Sequence, residues 1–308
     1  VTSAAYTISA PVIPAVPGLV KGFNSTGVKL YEDTGANAIQ KAIDEPGVVT
    51  IDVDPGTYDE DITATVADQV IKSTDGAAVT IIADGLNENG TVTISEKVTF
   101  DGFTVEGWVK TMTTDDATVK NCVLKGNPGV DVDIDTTLTD NTYEVGASET
   151  GVDVKAGEVA TISGGTFNVT TATSKGILNA GTLKLSGATM TGASGVGIEN
   201  DGTATITGNT FDGLATALDI DAGTVTTVTI KFNSILNSED YGIENATAAD
   251  LDVTFNWWGT TVAADIAAMV NDTGAGVTDY TPFLTDTADA VLSASKWVVN
   301  DNKLNAKT

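Results

Sequence analysis

Apolar and polar residues alternate with period two through most of this chain, in short runs broken by Gly, Asn and Asp. Such alternation marks strands with one buried face, and the breaks mark turns. Eight runs superimpose without a gap: VTFDGFTV (98–105), ATVKNCVL (117–124), TTLTDNTY (136–143), ATISGGTF (160–167), LKLSGATM (183–190), ATITGNTF (204–211), VTIKFNSI (228–235) and LDVTFNWW (251–258). Their third position is always apolar (Phe100, Val119, Leu138, Ile162, Leu185, Ile206, Ile230, Val253), and so is their eighth (Val105, Leu124, Tyr143, Phe167, Met190, Phe211, Ile235, Trp258). Successive third positions lie 19, 19, 24, 23, 21, 24 and 23 residues apart.

A second alternating stretch falls between these runs, as GVDVDID (129–135), GVDVKAG (151–157), GILNAG (176–181), GVGIENDG (195–202), ALDIDAG (217–223) and YGIENA (241–246). Two or three short strands per unit, with no helix between them, cannot form βαβ units, and one unit cannot bury its apolar side alone. Stacking the units as coils of a solenoid solves both problems. The expected fold class is therefore all-β, a single-stranded parallel β-helix with apolar columns repeating about every 4.8 Å. Asn209, Asn233 and Asn256 share the sixth position of consecutive units. They are candidates for a stacked amide ladder at a turn, a structural device rather than a binding site. In the second stretch Val130, Val132, Ile134, Val152, Val154, Val196, Ile198, Leu218, Ile220 and Ile243 are expected inward, which turns Asp131, Asp133, Asp153, Glu199, Asp219 and Glu244 outward. Like charges on adjacent rungs disfavour one another, and hydration, salt or bound Ca²⁺ would relieve them. Leu178 interrupts that column.

The segment AIQKAIDEPGVVTIDVDPGTYDEDITA (38–64) resembles the entry to the pectin-lyase-like superfamily. There a short helix, here Ala38 to Asp44, caps the open end, and a V-x-PG-x-Y stretch, here Val53 to Tyr58, forms an early rung. VIKSTDGAAVTIIAD (70–84) continues the coil. NWWGT (256–260) followed by VTDYTPFL (277–284) looks like the terminal segment of secreted β-helix surface proteins, with Phe283 in place of the usual tryptophan. ADIAAMV (264–270) between them reads as a short helix over the last rung. The resemblance spans roughly 36–284 and implies a right-handed coil. The expected organisation is an extended N-terminal arm (1–30), the parallel β-helix (31–260), and a C-terminal cap and arm (261–308).

Composition removes several kinds of chemistry. The chain has no histidine and no arginine; 15 lysines face 42 acids, for a net charge of −27. Such a surface repels nucleic acid and attracts cations or basic partners. No run approaches the ~18 apolar residues that span a bilayer. Lyase- and esterase-like members of the superfamily rely on an arginine that is missing here. Polygalacturonase-like hydrolysis needs paired carboxylates, for which Asp115–Asp116 is the nearest pair, read as an exposed turn. No catalytic, cofactor-binding or metal-ligating residue is assigned. Lone Cys122 reads as a buried thiol. Asn24, Asn89, Asn168, Asn245 and Asn271 head glycosylation sequons, and a start at Val1 suits removal of a signal peptide.

The two tails lie outside the repeat. Residues 1–20 are apolar and carry Pro11, Pro14 and Pro17; residues 289–308 offer an apolar strand around Trp297–Val299. Both are expected either to pack along the β-helix or to dock on a neighbouring subunit by strand addition. The expected function is that of an extracellular structural subunit of a filament, sheath, tube or surface-layer lattice, a homo-oligomer or homopolymer. The alternative is an adhesin that binds a glycan near Trp108, Trp257 or Trp258.

Overall fold

The computed structural model describes residues 17–83, 92–112, 116–221 and 227–285, and the backbone of 297–298. Asp115, Asn89 and residues 1–16 lie outside them. Three parallel sheets form a triangular coil, and nine successive three-strand turns run from Thr50–Val53 to Tyr241–Asn245. The third-position residues pair rung to rung in the first sheet, as Phe100, Val119, Leu138, Ile162, Leu185, Ile206 and Ile230. Val105, Leu124, Tyr143, Phe167, Met190, Phe211 and Ile235 do the same in the second sheet. Both columns are buried throughout. The Tyr143 and Phe167 rings stack at 4.2 Å, a geometry that adds to the area each ring buries.

The corner between the first two sheets explains why the repeat keeps its length there. Its fifth position is left-handed in all eight superimposed runs, at Gly102, Asn121, Asp140, Gly164, Gly187, Gly208, Phe232 and Phe255. Glycine and asparagine enter this region at little cost, a bulky side chain at more. The two phenylalanines are consecutive in the stack, and their rings lie 5.9 Å apart.

The next residue points inward and carries the amide ladder. Asn209 donates to Asn233 and Asn233 to Asn256, both at 3.0 Å. Each oxygen also accepts a backbone N–H of the previous rung, and each amide reaches the third-position carbonyl there. Asn141 makes the same contacts to the N–H of Cys122 and the carbonyl of Val119, and so belongs to the series. A second inward ladder joins Asn179 to Asn200 at 2.6 Å where the third sheet turns into the first.

In the third sheet Val130, Val152, Ile177, Ile198, Leu218 and Ile243 form one inward column. Val196 does not join it: it is half-buried and stands beside Lys175 and Thr216. The following pair, Gly197 and Ile198, are both buried, which breaks the alternation. A Cβ on Gly197 would sit 2.5 Å from the carbonyl oxygen of Ala217, so the tight column at this corner excludes a side chain.

Both ends are covered. The helix Ala38–Asp44 buries Ala38, Ile39, Ala42 and Ile43 over the N-terminal opening. Buried Glu60 accepts the amides of Ile39 and Gln40, and Gln69 donates to the carbonyls of Ile43 and Val48. Residues 20–30, expected in the arm, are instead part of the cap. Val20–Phe23 pairs antiparallel with both Lys29–Asp33 and Thr50–Val53, which ends the first sheet on a hairpin. At the other end Ala263–Ala268 is helical, and Val270–Asp272 adds a last strand to the third sheet. Phe255 donates to the carbonyl of Pro282 and Leu284 to that of Asn256, folding the terminal segment over the last rung. Trp297–Val298 pairs antiparallel with Phe283–Leu284, so this part of the C-terminal tail lies against its own chain.

Candidate functional site

The interior is filled, so among the described residues the groups open to a ligand lie on the walls and in surface concavities. The outward column of the third sheet runs Lys110, Asp131, Asp153, Leu178, Glu199, Asp219, Glu244 and Asn271. Its lower half is neutralised by lysines. Lys110 reaches Asp131 at 3.2 Å and Asp133 at 2.9 Å; Lys155 reaches Asp131 at 2.9 Å and Asp153 at 2.5 Å. The hydrogen bond to Asp133 raises the Lys110 pKa. These pairings, which sequence spacing does not reveal, relieve the repulsion among Asp131, Asp133 and Asp153 but not that higher in the column.

The upper half is less well matched. Lys175 holds Glu199 at 2.6 Å, and Asn271 donates to Glu244 at 3.2 Å. Asp219 between them has no donor among the described residues. Burial, then the charges of Glu244, Glu199 and Asp221, push its carboxyl up to about 6. Burial, then Asp221 and Glu199, also raise Asp201. Among the described residues no group of three or more Asp, Glu or Cys is arranged to hold a metal ion.

A carboxyl with a raised folded pKa prefers its protonated form in the native state. Against an unfolded value near 3.9, ionising Asp219 costs stability as pH rises from about 4 through about 6. Asp219→Asn is expected to stabilise the protein at pH 7 by on the order of 1 kcal/mol, after allowance for solvent screening, and by almost nothing at pH 4. Calorimetric melting at the two pH values checks this; equal effects at both would refute it.

The first sheet presents a different wall. Outward positions from the fourth-last rung upward are Thr161 and Ser163, Lys184 and Ser186, Thr205 and Thr207, Thr229 and Lys231. No carboxylate stands among them. A shallow groove of about 380 Å³ runs here, lined by Thr161, Lys184, Leu185, Ser186, Thr205 and Thr207. Another concavity, about 770 Å³, lies beside the N-terminal cap and is lined by Asp59, Glu60 and Glu106 among others. Glu60 is already committed to the helix amides there.

The remaining sequence candidates fall into place individually. Trp258 is in the core and cannot meet a glycan, whereas Trp108 and Trp257 are half-buried. Asp116 is exposed at a left-handed turn. Cys122 is buried, and desolvation pushes its thiol up to about 12, far from a reactive thiolate. Asn245 is fully buried, its oxygen accepting from Thr247, so this sequon is closed to modification in the folded chain. No helix among the described residues is long and apolar enough to cross a membrane.

Residues 109–257 match the family described as right handed beta helix region, consistent with the superfamily resemblance read from the cap and terminal segments. No curated protein matches the chain. A solved structure described as Geobacillus virus E2 - ORF18 is similar at a TM-score of 0.48 and 12% identity, over 82% of this chain and 58% of that one.

Proposed function

We propose, from the match of residues 109–257 to the right-handed β-helix family and the parallel coil the chain forms, that the protein is a non-catalytic structural rod, a subunit of an extracellular assembly. The observation that carries the reading is the closed, ladder-filled interior, capped at both ends, which leaves only walls and tails for interaction. Capped ends turn solenoid edges away from indiscriminate pairing with other chains. Longitudinal contact therefore falls to the N-terminal segment, and strand addition by such a segment is heterologous, the geometry that grows a polymer. The reading asks for no cofactor.

Electron microscopy of the purified protein at physiological salt tests this. Polymers or lattices are expected, shortened or lost on deletion of residues 1–16, a cut that spares the core residue Val20. A protein that stays monomeric at high concentration contradicts the reading, as does cleavage of a polysaccharide by the pure protein.

A further inference from the structure

Two walls of the coil are chemically unbalanced in opposite senses. The first-sheet wall is rich in solvent-facing donors without a protein acceptor. The side chains of Thr161, Ser163, Ser186, Thr205 and Thr207 make no hydrogen bond among the described residues, and Lys184 makes no ion pair. Among the described lysines only Lys125 shares this, whereas Lys21, Lys29, Lys41, Lys72, Lys97, Lys110, Lys120, Lys155, Lys175 and Lys231 each hold a carboxylate. The upper third-sheet wall has the opposite defect. Carboxylates accept and never donate when ionised, and Glu199, Asp219 and Glu244 stack on consecutive rungs with Lys175 as their one lysine partner among the described residues.

The two walls also share a height. Lys184 lies on the first-sheet strand Thr182–Ser186, and Glu199 lies on the third-sheet strand Val196–Asn200 of the same coil; Asp219 is one rung above. A parallel neighbour facing the other way round the axis would therefore bring Lys184 within about one 4.8 Å rung of these acids.

We propose that the hydroxyl wall around Lys184 is a lateral docking surface for a second copy of this chain, which offers its Glu199–Asp219–Glu244 wall. The Lys184 ammonium pairs with the acids of the neighbour, and the Ser and Thr hydroxyls donate to the remaining carboxylate oxygens. The contact is heterologous, so repetition gives a ring or an open array of rods side by side. On a chain of net charge −27, a wall whose outward residues include no carboxylate repels an acidic second copy less than an acid-lined wall does. The proposal rests on the assembly reading and adds to it the surface and its partner.

The test uses the full chain in light-scattering and electron-microscopic titrations at low and high salt. Lys184→Glu is expected to raise the concentration needed for side-by-side association about tenfold or more, with polymer length unchanged. Asp219→Lys is expected to do the same, and an equimolar mixture of the two variants, or the double variant, to recover association. Both sites are exposed or half-buried, and an unchanged melting profile verifies folding. The proposal is overturned if both single variants associate like the native protein, if the charge swap gives no recovery, or if association requires Ca²⁺ and vanishes with chelator. Loss of glycan retention by Lys184→Glu on a neutral polysaccharide gel, with oligomeric state untouched, also overturns it. Native polymers that ignore these substitutions leave the assembly reading standing; a strictly monomeric native protein removes both.

Discussion

Asn233→Ala is expected to lower the unfolding free energy by about 3–5 kcal/mol, although it removes only an amide. Asn233 is fully buried and sits in the middle of the ladder. Its amide donates to the carbonyls of Ile206 and Lys231 and to Asn256, while its oxygen accepts the backbone and side-chain N–H of Asn209. Truncation strands several buried polar atoms on three rungs at once, each costing about 1–3 kcal/mol where water cannot replace the partner. Asn233→Asp is expected to be worse at neutral pH, because it brings a charge in place of a donor into the same site. Urea unfolding monitored by far-ultraviolet circular dichroism measures both. A loss below 1 kcal/mol for the alanine variant would mean that the ladder is ornamental to stability.

The second large effect is expected from Phe167→Ala. Phe167 is buried between Tyr143 below and Met190 above in the eighth-position column, with the Tyr143 ring stacked on it. Aromatic-to-alanine truncation in a packed core costs about 3–5 kcal/mol, from lost transfer energy and the cavity left behind. A coil touches only its neighbours, so the damage is expected to split a single unfolding transition into two, the coils on either side of the gap melting separately. Scanning calorimetry decides between this and a uniform downward shift. A neutral result would place the ring outside the core.

What the sequence showed and what it hid follow from the same geometry. The third and eighth positions were legible because these two inward columns are apolar in every superimposed run, so every rung repeats the signal. Asn209, Asn233 and Asn256 were legible because they are consecutive. Asn141 was not, because Gly165 and Ala188 occupy its column in the rungs between. The lysine partners of the acid column were hidden for a different reason. Lys155 reaches Asp131 of the coil below as well as its own Asp153, and cross-rung pairing depends on side-chain reach rather than spacing. Val196 was misplaced since a buried glycine beside it shifts the alternation by one residue. The hairpin at 20–33 escaped notice because it is antiparallel and borrows its partner from Thr50–Val53, outside the repeat. The candidate surface at Lys184 is a matter of missing partners, which only the folded chain can display.

The claim beneath all of this is that alternation sorts each rung into a sealed interior and an outer wall, and Cys122 reports on it directly. Its thiol lies in the sixth-position column, buried, with the sulfur 3.1 Å from the Lys120 carbonyl. Ellman's reagent added to native protein at pH 8 is expected to find no reactive thiol for hours, and one per chain once denaturant is added, while Thr137→Cys on the wall gives one fast-reacting thiol under native conditions. Rapid reaction of Cys122 in the native protein would contradict the account.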